Sequence, residues 1–88
     1  MDYQLLKGQE NWRAWRRQTL ATLEAMGVKI AIESDLPVND DRNIKALDRI
    51  LTSVDQSLIC VLSESDSSFE VWSSLLNLFD LNLSEVNV

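Results

Sequence analysis

"LLKGQENWRAWRRQTLATLEAMG", residues 5–27, is the stretch whose reading decides the fold. Trp12, Trp15, Leu20, Leu23 and Met26 recur there at intervals of three, five, three and three, which lays one broad apolar stripe along a helix from Glu10 to Met26. Arg13, Arg16, Arg17 and Glu24 fall off that stripe and point elsewhere. Gly8 and Asn11 supply an entry turn and an N-cap, and Gly27 directly after Met26 suits a left-handed C-cap.

In "VKIAIESDLPVND", Val28, Ile30 and Ile32 alternate over five residues. That period fits a strand, but the chain offers no second strand to pair with it, so a short helical turn or an apolar connector is expected. Pro37 makes Leu36 extended, and the chain crosses the fold there. Asn39, Asp40 and Asp41 then open a long central helix through "RNIKALDRILTSVDQSLICVL", with Ile44, Leu47, Ile50, Leu51, Val54, Leu58, Val61 and Leu62 as its stripe. After the polar break "SESDSS", Ser67 or Ser68 caps a last helix holding Phe69, Val71, Trp72, Leu75, Leu76 and Phe79, and Ser67-x-x-Glu70 has the spacing of a capping box. The expectation is an all-α fold, a small orthogonal bundle of four to five helices, with Trp12, Trp15, Leu23, Ile50, Val54 and Trp72 in its core.

At 88 residues the chain makes one domain with one core. Apolar residues at 45% and charged residues at 25% are a globular composition. All eight basic residues lie at or before Arg49 and are balanced there by eight acids, so the net charge of −6 belongs to the C-terminal segment. A duplex nucleic acid or an anionic membrane selects for an excess of Lys and Arg, and this chain has the reverse. Cys60 stands alone in the apolar run "SLICVL" and supports neither a disulfide nor a zinc site. No secretion signal and no membrane span is read in the sequence, which points to an intracellular, cytoplasmic protein, with the nucleus also open.

Catalysis has little to work with. There is no histidine, and the carboxylates sit in caps and on helix faces, so no nucleophile and base pair, metal cluster, cofactor loop or small-molecule site is expected. Two indoles at i and i+3 read first as core. Stacking on single-stranded bases is the alternative, with Arg13, Arg16 and Arg17 close by, and the acidic remainder argues against it. The three arginines read as a solvated face pairing with acids such as Asp66 or Glu70, or as a surface that meets the acidic half of a neighbouring subunit head to tail. The tail "DLNLSEVNV" adds Leu81, Leu83 and Val86 as apolar contact candidates, and its abrupt apolar end suggests that the natural chain continues.

The order Leu6, Gly8, Asn11, Trp12 and Trp15, then Leu20 and Leu23, a Gly27-Val28 exit, a helix around Ala46 and Ile50, and "VWSSLLNLF" at 71–79 resembles the N-terminal, capsid part of the Gag polyprotein of copia-type LTR retrotransposons. The resemblance spans roughly residues 5 to 79. It implies a small helical domain that does no chemistry and acts by touching copies of itself. The later helical domain and the zinc knuckle of that family have no counterpart in these 88 residues, so nucleic-acid binding is not carried over. The expected partner is the chain itself as a homo-oligomer, or, if the domain is a domesticated one kept by a host, a particular host protein.

Overall fold

Helix α1 runs Trp12–Met26 after a 3₁₀ turn at Gln9–Asn11, in a computed structural model that describes residues 5–62 and 65–80. Its inward face is Trp12, Trp15, Thr19 and Leu23, while Met26 stands exposed at the end of the stripe. Asn11 does not cap the helix with its side chain. Its Oδ1 accepts from the backbone N–H groups of Lys7 at 3.0 Å and Gly8 at 3.3 Å, and its Nδ2 donates to the Leu5 carbonyl at 2.8 Å. The side chain therefore holds the incoming segment against the helix. At the other end Gly27 takes φ 77°, and the Gly27 and Val28 N–H groups donate to Glu24 and Leu23, the paired bonds of a Schellman end.

The alternation of Val28, Ile30 and Ile32 resolves into one helical turn, α2 (Ile30–Glu33), which buries Ala31 and Ile32 and exposes Ile30. Helix α3 spans Asp41–Thr52, and Asp40 caps it by accepting from the Arg42 N–H at 2.9 Å. The expected long helix is not continuous. It stops at Thr52 and restarts as α4, Gln56–Leu62. The Thr52 and Ser53 hydroxyls donate back to the Asp48 and Arg49 carbonyls, a bond that competes with the helical ladder. The freed backbone pairs across the fold: Leu6 N–H donates to Ser53 at 2.9 Å, Asp55 N–H donates to Leu6 at 2.8 Å, and Leu6 and Val54 form an isolated parallel bridge. Asp55 then caps the restart by accepting from the Ser57 N–H at 3.0 Å.

Helix α5 (Ser68–Leu75) continues as a π-helical turn, Leu76–Asp80. Ser67 caps α5 by accepting from the Glu70 N–H. The return arm of the capping box runs through Ser65, whose hydroxyl accepts from the Ser67 N–H at 3.1 Å and donates to Glu70 at 2.8 Å. Helix α5 packs on α2 and α3, and α1 lies against α3. Five helices and no strand among the described residues make a small all-α bundle.

Trp12, Trp15, Leu23, Ile50, Val54 and Trp72 are all buried. The stripe on α3 is rotated from the expected one. Asn43, Ala46 and Ile50 face inward, and Ile44 lies 52% exposed; on α4, Val61 is also turned to solvent. Asn43 explains the rotation, because it is a buried polar knot with every bond made. Its Nδ2 donates to the Val38 carbonyl at 2.9 Å and the Asp66 carbonyl at 3.0 Å, and its Oδ1 accepts from the Ser68 N–H at 2.8 Å. The Ser68 hydroxyl lies 2.8 Å from that oxygen and 3.2 Å from the Ala31 carbonyl. One amide thus ties α3, the loop before it and the start of α5, and the Ser68 hydroxyl extends the network toward α2.

Asn43→Ala should cost about 3 kcal/mol, since it strands buried partners; a urea-unfolding difference below about 1 kcal/mol would overturn this role. A second expectation concerns acid. The Asp55 carboxyl is held below its ordinary value of 3.8, first by the Ser57 N–H and further by Lys7 at 3.6 Å. A value lowered in the folded state stabilises the fold above 3.8, and that contribution disappears as pH falls through the lowered value. The urea midpoint of Asp55→Asn should therefore fall less steeply than that of the natural chain between about pH 5 and pH 2.

Candidate interaction surface

The indoles of α1 face inward as a continuous aromatic stack. Trp12 and Trp15 lie 5.7 Å apart at 26°, Trp12 and Phe79 5.2 Å apart at 27°, and Trp15 and Trp72 5.7 Å apart at 26°. Each indole of α1 also finds an acceptor. Trp15 Nε1 donates to the Ser53 carbonyl at 2.8 Å, and Trp12 Nε1 donates to Asp80. Stacking on single-stranded bases needs an open ring face, and burial of both rings removes that alternative.

With the core face of α1 so defined, the three arginines separate. Arg16 lies at the edge of the core face, with Nε 3.9 Å from Asp80 Oδ2. Asp80 thus serves Trp12 and Arg16 together, and neither Asp66 nor Glu70 pairs with an arginine of α1 among the described residues. Arg13 and Arg17 stand one turn apart on the opposite face, flanking Ala14, Gln18 and Ala21 around a shallow depression of about 450 Å³. They form no ion pair among the described residues, whereas Lys7, Arg16, Lys29, Arg42 and Lys45 each meet a carboxylate of their own chain. Leu81, Leu83 and Val86 lie outside the described residues.

Depressions also occur elsewhere among the described residues, two of which bear on the surface. One, of about 520 Å³, is lined by Asp35, Leu36, Pro37, Ser65, Asp66 and Glu70. Two of its carboxylates are already engaged, Asp35 by the Ser67 hydroxyl at 3.1 Å and Glu70 by the Ser65 hydroxyl at 2.8 Å, so it belongs to the capping of α5. The other, of about 430 Å³, is the outer face of α3, where Ile44, Leu47 and Leu51 meet Val38 under the carboxylates of Asp48 and Asp66. Nothing in the sequence separated this face from the core stripe, because Asn43 reads as an ordinary polar helix residue until its four bonds are seen.

At the entry to α3, Asp40 is held below its ordinary value by the Arg42 guanidinium and N–H, and Arg42 is raised in turn by Asp40, so this pair is a local clamp on the cap. No three His, Cys, Asp or Glu side chains come together to hold a metal ion among the described residues, and no helix there is long and apolar enough to cross a membrane. No family model, curated protein or solved structure matches the chain.

The two partners of Asp80 should separate on mutation. Asp80→Ala strands the Trp12 N–H and should cost about 1 to 2 kcal/mol, while Arg16→Ala, losing an exposed pair, should cost no more than about 1 kcal/mol. Chemical denaturation followed by tryptophan fluorescence checks both; equal costs would mean that Asp80 acts on the arginine and not on the indole.

Proposed function

We propose that this chain is a self-associating structural module of the capsid N-terminal type, which works by contact between helix faces and performs no chemistry. The observation that carries the reading is the outer face of α1. Arg13 and Arg17 are left without an ion-pair partner among the described residues there, while most of the other cations meet a carboxylate of their own chain. Unpaired guanidiniums beside small alanines make a face that an acidic partner can approach closely, and guanidinium forks suit carboxylates.

The spaced residues behind the resemblance to copia-type Gag give further support. Leu6, Trp12, Trp15, Val71, Trp72, Leu75 and Phe79 are all buried, so the spacing that suggests the family is also the spacing that builds this core. An origin as retrotransposon Gag, active or domesticated, is part of the same proposal.

Light scattering on the purified domain across a concentration series near 0.1 M salt tests it. A dimer or larger species should grow with concentration, and Arg13→Glu with Arg17→Glu should weaken it about tenfold or more. A strict monomer at every concentration would overturn self-association and leave the adaptor reading, in which the same face serves a host protein.

A further inference from the structure

We infer that the surface meeting Arg13 and Arg17 is the outer groove of α3 on a second copy of the chain, so that the contact runs head to tail; this rests on the self-association proposed above. Helix α3 is apolar on two sides. Its inner side is closed by Ala46 and Ile50 in the core, while on its outer side Leu47 and Leu51 are only partly covered and Ile44 is exposed among the described residues. Ile44, Leu47 and Leu51 follow one another at i, i+3 and i+7, the spacing with which a groove receives one face of a helix. Ile44 is 52% exposed and Val38, across the groove, 57%.

The rim says which helix fits. Asp48 and Asp66 stand at the groove, and neither carboxylate is ion-paired among the described residues. An apolar floor under two acids suits a helix that brings small residues to the floor and cations along one side. The outer face of α1 offers both, with Ala14 and Ala21 beside Arg13 and Arg17. Four residues along a helix advance about 6 Å, so the two guanidiniums reach the partner as a pair from one side. Both faces are exposed within one molecule, so they satisfy each other only between copies.

A contact between two different faces leaves one of each free on every dimer. Growth therefore proceeds to a ring or an open chain and does not stop at a two-fold pair.

Two variants test this directly. Arg13→Glu with Arg17→Glu disables the α1 face, and Val38→Ser with Ile44→Ser disables the groove without adding charge. All four positions are exposed, and circular dichroism melting checks that both variants fold. At a concentration where the natural chain associates, each variant alone should be monomeric, and an equimolar mixture should give a 1:1 dimer that does not grow further. Association of the groove variant at the natural strength overturns the inference, as does a mixture that stays monomeric when both variants are monomeric alone; either result leaves self-association standing. A natural chain that is monomeric throughout overturns self-association itself and this inference with it.

Discussion

The carbonyl oxygen of Ser53 is the point on which the rest of the fold depends. It accepts from the Leu6 N–H at 2.9 Å and from the Trp15 indole at 2.8 Å. A carbonyl inside a continuous helix would be spent on the N–H four residues on, so these two bonds exist only because the helix breaks after Thr52. The break in turn is stabilised by what it reaches: Leu6 seals the pair with Asp55, and Trp15 is anchored at its polar end while its ring joins the aromatic stack. Without that carbonyl, the entry segment, α1 and the α3–α4 corner would have no common fixed point.

That corner also fixes the rotation of α3. Val54 is drawn under Leu6, Ile50 lies buried one turn before it, and Asn43 is carried to the inner face at the far end. A buried amide is tolerable only if all its hydrogen bonds are made, and here the loop carbonyls and Ser68 make them. The inner face of α3 is thus specified by geometry at one end and by a polar network at the other. Ile44 is left exposed on the outer side, with Leu47 and Leu51 only partly covered beside it.

This explains which parts of the sequence were legible. Helix α1 could be read because period, glycine exit and indole spacing agree. The Ser67 cap could be read because serine three residues before Glu70 has a local mechanism. The corner at Ser53 could not, although Thr52, Ser53 and Asp55 are all residues that bond to nearby backbone, because what tips the balance is Leu6, almost fifty residues upstream. Ile44 and Ile50 carry the same apolar signal, and only the satisfied Asn43 places one inside and the other outside. The arginines were read as one group; the position of Asp80 under Trp12 divides Arg16 from Arg13 and Arg17.

Charge follows the same pattern. In the sequence, the acids after Arg49 have no basic neighbour, which suggests a molecule with a neutral half and an acidic one. Folding undoes much of that, since Asp55 is brought to Lys7 and Asp80 to Arg16. What survives is smaller and more informative: among the described residues, Arg13 and Arg17 meet no carboxylate on the outer face of α1, and Asp48 and Asp66 meet no cation over the apolar outer face of α3. A net charge of −6 makes copies repel at long range, and salt near 0.1 M screens that repulsion beyond about 10 Å. In the proposed contact, opposed pairs at contact distance would then set orientation, while burial of Ile44 and Val38 would supply the affinity.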